Sequence, residues 1–91
     1  NKGDFMKNKY EKYVGKYFRR KCEHYIIVFH VIGFEEIDDI PFFIGEEYIM
    51  SKKGDNFTIE CRKGCGYFLD VFTEITKEEY AEQISLGFSH D

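Results

Sequence analysis

Residues 24–32 read His-Tyr-Ile-Ile-Val-Phe-His-Val-Ile, and this run decides the fold. Seven of its nine positions are β-branched or aromatic, the side chains that fit a pleated, half-buried surface. In a strand, side chains alternate between the two faces. Ile26, Val28 and Ile32 then share one face with His24 and His30, while Tyr25, Ile27, Phe29 and Val31 form the other. Both faces are largely apolar, so the strand is expected to be covered on both sides.

Working outward, residues 34–40 read as an acidic loop, and Pro41, which has no amide to donate to a ladder, belongs at the head of the next strand. Residues 42–51 form that strand. Residues 52–56, Lys-Lys-Gly-Asp-Asn, carry strong turn chemistry in Gly54 and Asp55. Phe57, Ile59 and Cys61 then alternate with Thr58, Glu60 and Arg62, the cleanest period-two signal in the chain. Residues 62–66 read as a second turn and residues 67–75 as a last strand. Thr76-Lys77-Glu78-Glu79 fits a capping box that opens a helix, with Tyr80, Ile84 and Phe88 on its apolar stripe and Gly87 as its stop. Upstream, two readings compete. Met6, Tyr10, Tyr13, Val14 and Tyr17 recur at helical spacing, which suggests a short N-terminal helix; alternatively a strand starts near Tyr13. Met6 also has the look of a natural start, with residues 1–5 as an upstream extension. The resulting expectation is a mainly β (α+β) fold: a small, bent, antiparallel five-stranded barrel, an up-and-down meander, with a C-terminal helix over one end or face. Residues 1–12 are read as an extension or short helix and residues 13–91 as one small domain.

Composition agrees with a single core. The chain has 91 residues, 43% of them hydrophobic, with ten Phe, seven Tyr and no Trp. At this length a second core is excluded. No apolar run approaches the length of a membrane span, and the start carries no secretory pattern. Three Cys are too few for a disulfide scaffold and fit a reducing, cytoplasmic setting. The net charge of −4 hides a strong polarity. Residues 1–21 hold eight Lys or Arg against two acids; residues 22–91 hold five against fifteen. A basic arm suits phosphates, whereas an acidic body repels them at long range.

Four chemistries are open to these residues. Zinc would draw on Cys22 and His24 with Cys61 and Cys65, but the spacing matches no common zinc signature, and a meander separates the two pairs. A hairpin through residues 62–64 would instead face Cys61 against Cys65, where both behave as small apolar groups. Catalysis lacks support: Ser51, Ser85 and Ser89 lie outside any nucleophile context, His24 and His30 lie on an apolar face, and the glycines are scattered rather than gathered into a phosphate loop. A protein that is not an enzyme and needs no cofactor is the expectation. For nucleotide or single-strand binding, Lys16, Tyr17, Arg19, Arg20, Lys52 and Lys53 would form a basic rim at one end of the meander, with cations for phosphates and rings for bases. For protein binding, the acids Glu35, Glu36, Asp38, Asp39, Glu46 and Glu47 surround apolar residues that include Phe34, Ile37, Ile40, Phe42 and Phe43, and would suit a basic partner.

Two stretches carry a resemblance. Val14-Gly15-Lys16-Tyr17 and the segment Glu74-Ile75-Thr76-Lys77-Glu78-Glu79-Tyr80 resemble the opening strand and the helix entry of small uncharacterised proteins of phages and mobile elements in Firmicutes. The resemblance implies a counter-defence role in the cytoplasm of a bacterial host: binding and blocking a host protein, or sequestering its nucleotide signal. It carries no catalytic residues. A monomer and a homodimer are both compatible with this reading.

Overall fold

A computed structural model describes residues 9–89. Residues 9–11 are helical and pass through a turn into β1 (Tyr17–Lys21). The expected helical spacing does not continue through Tyr13, Val14 and Tyr17: residues 12–15 form the turn and Tyr17 opens β1, while Met6 lies outside the described residues. β2 (Tyr25–Ile37), β3 (Ile40–Ser51) and β4 (Phe57–Gly64) follow as a meander. The chain then forms α1 (Cys65–Val71), the short β5 (Thr73–Ile75) and α2 (Lys77–Leu86). All five strands lie in one antiparallel sheet of order β4-β3-β2-β1-β5. The mainly β architecture with a C-terminal helix is as expected. The sheet stays open, however: β4 and β5 are its two edges, and no barrel closes.

The reason lies in residues 65–71, which are helical rather than part of a last strand. In a sheet of this order β4 and β5 run in the same direction on opposite edges, so their connection has to cross one face. Four strand spacings amount to about 19 Å. The seven residues of α1, with short extended flanks, make that crossing. Phe68, at the centre of α1, drops fully buried onto the sheet. Its ring meets Phe18 at 4.7 Å, Phe29 at 4.8 Å and Phe43 at 5.2 Å between centroids, and stacks on Phe72 at 4.5 Å. Phe18, Phe29, Val31, Phe43, Cys65, Phe68 and Phe72 form this core, with Tyr10, Tyr13 and Phe34 packed against it. Each such ring contributes on the order of 1.5–3 kcal/mol on burial.

The other face of the sheet is held by α2. Ile26, Val28, Met50 and Ile75 form a second core against Tyr80, Ile84 and Phe88. The predicted capping box is present: Glu79 N donates to Thr76 Oγ1 and Thr76 N donates to Glu79 Oε1, both at 3.0 Å. The Thr76 amide, which donates to the carboxylate, and then the Thr76 hydroxyl beside it hold the Glu79 carboxyl below its usual range. Gly87 closes the helix at φ 71°. β2 is thus packed on both sides where Ile26 and Val28 face α2 and Phe29 and Val31 face α1, as the alternation in residues 24–32 requires.

Two local features shape the hairpin of β2 and β3. The expected loop over residues 34–40 is instead continuous strand: Ile37 pairs with Ile40 across a two-residue turn, and Asp38 and Asp39 both take positive φ (52° and 64°). Tight hairpins with the right-handed twist of their strands need that geometry, which Asp tolerates. A bulge between Val31 and Gly33 then resets the alternation, so that Phe34 continues the α1 face. Gly45 sits opposite Val31 at this bulge. A Cβ there would lie 2.1 Å from the His30 carbonyl oxygen and 2.9 Å from the Phe29 ring. Gly45→Ala should therefore destabilise the fold by about 1–3 kcal/mol through overpacking, read as a lowered urea midpoint with an unchanged slope; an unchanged midpoint would contradict this packing.

Candidate functional site

The acidic residues predicted as one surface are divided by the strand period. Glu35, Ile37, Ile40, Phe42, Ile44 and Glu46 fall on the α2 side of the sheet by their register against Phe34 and Phe43. Glu47 falls on the other side. It is only 3% exposed, in register with Phe29 and Ile59, and its Oε2 lies 2.9 Å from Lys63 Nζ. Glu47 is thus an internal ion-pair partner and is withdrawn from any docking surface. Phe34 and Phe43 also turn inward onto Tyr10.

The remaining residues come together at the end of a long hairpin. β1 pairs with β2 only as far as His30, and β4 pairs with β3 only as far as Phe42. The segment from Glu36 to Pro41 therefore extends past both neighbours. At its tip Asp38 and Asp39 are exposed, and Ile37 and Ile40 stand 39% and 54% exposed. Glu36 is half-buried opposite Pro41, and Glu35 is half-buried with its Oε1 2.6 Å from Arg62 Nε. Farther down the same face Glu46 stands in register between His30 and Glu60, two carboxylates side by side. Phe42 and Ile44 are half-buried. The second core that α2 covers is built around Ile26, Val28, Met50 and Ile75, toward the opposite end of the sheet. The result is a projecting apolar ridge bordered by carboxylates, with Arg62 the base that pairs into it.

The predicted basic rim is dispersed. Lys16 Nζ pairs with Glu74 at 3.2 Å. Tyr17 stacks on His30 at 4.3 Å and packs on Tyr80. That contact makes His30 a packing residue, and burial pushes the Tyr80 hydroxyl up, helped by the nearby charge of Glu46. Arg19 donates to Gln83 Oε1 at 2.9 Å and lies 3.9 Å from Glu79, so it fastens α2 to the sheet. Arg20 projects to the opposite face and donates to the Tyr67 hydroxyl. Lys52 and Lys53 remain exposed in the β3–β4 turn. The strand register sets that turn at the same end as Arg20, while Lys16, Tyr17 and Arg19 are engaged on the α2 side of the sheet.

The four sulfur and imidazole candidates do not meet either. Cys22 and His24 lie in the β1–β2 turn, with Cys22 N bonded to Tyr25 O at 2.8 Å. Cys61 aligns with Gly45 and Val31, six residues farther along β2, or about 20 Å away along the strand. β4 runs through residues 62–64 without turning, so Cys61 and Cys65 are not cross-strand partners. Among the described residues no group of three or more His, Cys, Asp or Glu side chains is gathered as a metal ion would need. Also among the described residues, no helix is long and apolar enough to cross a membrane. No family model, curated protein or solved structure matches the chain.

Burial pushes the Cys61 thiol up to about 11, aided by the charge of Glu47, and burial likewise pushes Cys65 up to about 11, from an ordinary 9.0. At pH 8 this leaves roughly a hundredfold less thiolate than an ordinary Cys carries. A disulfide reagent at pH 8 should thus modify these two thiols at least about tenfold more slowly in the folded chain than in denaturant. Because the folded chain holds these protons more tightly, their stabilisation is complete below pH 9.0 and is lost as the pH rises through about 11. Equal rates in folded and denatured protein would contradict their placement.

Proposed function

We propose that this protein is a non-catalytic binding protein of the phage counter-defence kind, which occupies the surface of a host protein with the tip of its β2–β3 hairpin. One observation carries the reading: Ile37 and Ile40 stand exposed at a projecting tip, with Glu35 on the same face and Asp38 and Asp39 in the turn between them, while the strand period sets the half-buried Glu36 on the α1 side. Apolar anchors ringed by carboxylates complement an apolar groove with a basic rim. Glu46 and Glu60 extend the acidic border down the same face. The tight turn and cross-strand pairing fix the tip in advance, so little ordering is lost on binding. In support, His30 is stacked on Tyr17, and the half-buried Cys61 and buried Cys65 are hard to ionise. The resemblance to small phage proteins fits a blocking role in a host cytoplasm.

A photoreactive residue at position 40 should crosslink one host protein in a bacterial extract. Titration of that purified partner should then saturate at a fixed molar ratio and weaken with salt. Ile37→Ser with Ile40→Ser should reduce affinity by about tenfold or more, as loss of central anchors does, with the thermal midpoint little changed. Turnover of a substrate at catalytic protein levels, or binding indifferent to these substitutions, would overturn the proposal.

A further inference from the structure

Among the described residues, half of the α1 side of the sheet is left uncovered, away from the hairpin ridge. α1 and residues 9–14 cover the end of this face that holds Phe34, Phe43 and Phe18. At the other end a row runs across four strands in register: Arg20 opposite Ile27, Ile27 opposite Ile49, and Ile49 opposite Phe57. Tyr25 continues this face two residues beyond Ile27. Phe57 is 47% exposed and Tyr25 45%, large values for rings on the face of a sheet. Both line an open pocket of about 710 Å³ whose rim carries Lys52 and Lys53, with His24 beside them and Asp55 as its carboxylate. At the far end of the row Arg20 lies beneath the exposed ring of Tyr67, 5.8 Å from its centroid.

We propose that this surface binds a short single-stranded nucleic acid, with Tyr25 and Phe57 stacking on bases and Lys52, Lys53 and Arg20 holding phosphates. The pattern of cations beside exposed rings is what such a ligand requires, since each base offers a flat face and each linkage a negative charge. Tyr25 and Phe57 are on the order of 10 Å apart by strand spacing, within the reach of a flexible strand. A duplex is disfavoured, because its bases are already stacked and the acidic body repels a long polyanion. A second copy of this chain is a poorer occupant: two-fold pairing of this face would bring the same lysines together. The site lies on the opposite side of the sheet from the hairpin ridge and stands apart from it.

The test is fluorescence anisotropy with a labelled twelve-nucleotide polyuridylate, a duplex of equal length and inorganic polyphosphate as competitor. The single strand should bind, the duplex more weakly, and polyphosphate should compete poorly. Tyr25→Ala and Phe57→Ala should each weaken binding roughly 5- to 100-fold, the worth of one stacked base, while Phe57→Trp retains it. The slope of log affinity against log salt should be about −2 for three cations and fall to about −0.7 in Lys52→Ala/Lys53→Ala. Ile37→Ser/Ile40→Ser should leave all of this unchanged. Circular dichroism confirms that each variant is folded. Absence of binding, polyphosphate competing as well as the oligonucleotide, a folded Phe57→Ala that binds normally, or sedimentation showing a dimer that Phe57→Ala dissolves would each overturn the proposal.

Discussion

The structure depends on one crossing. A meander of four strands ends on one edge of the sheet, and the fifth strand pairs on the other edge, beside β1. The chain makes the passage in α1, and Phe68 anchors it by inserting into a ring of Phe18, Phe29, Phe43 and Phe72. A helix this short, with no side-chain cap at its N-terminus, has little stability of its own. The burial of Phe68 supplies what local preference does not. Once α1 is seated, β5 can pair with β1, and α2 is delivered to the opposite face, where Arg19 and the Gln83 side chain secure it. Gln83 in turn donates to the carbonyls of Gly87 and Ser89 and so ties down the C-terminal turn.

The same crossing determines what is left open. α1 covers one end of its face and α2 the opposite end of the other, so among the described residues two regions are left uncovered on opposite sides and at opposite ends of the sheet. One is the acidic hairpin ridge around Ile37 and Ile40; the other is the aromatic floor around Tyr25 and Phe57. Their charges differ in sign: Lys52 and Lys53 stand beside the floor, while the ridge carries Glu35, Asp38, Asp39 and Glu46, of which Glu35 pairs with Arg62. Such a division gives a small domain two chemically distinct faces.

Much of this was readable in the residues. The alternation in residues 24–32 and 57–62, the turn at residues 52–56, the capping box at Thr76 and the stop at Gly87 are all local signals, and local structure followed them. Three features were hidden for physical reasons. Residues 67–71 alternate well enough to pass for the start of a strand, and only the demand of a crossover makes them helical. Asp38-Asp39 lacks the glycine that marks a tight hairpin turn, so a continuous hairpin read as a loop. The adjacent acids Glu46 and Glu47 look alike in sequence, yet the strand period exposes one and buries the other against Lys63. The pairing of the basic residues was hidden for a related reason: Lys16, Arg19 and Arg20 meet partners 47 to 64 residues away in the chain, which no local pattern reveals.

The most direct test of the account is a set of proton–proton distances from nuclear magnetic resonance centred on Phe68. If α1 crosses the sheet, the Phe68 ring will show contacts to the rings of Phe18, Phe29 and Phe43, and residues 65–71 will show sequential amide contacts of helical type. Cross-strand contacts pairing residues 67–71 with a neighbouring strand, with the Phe68 ring remote from Phe29, would contradict it.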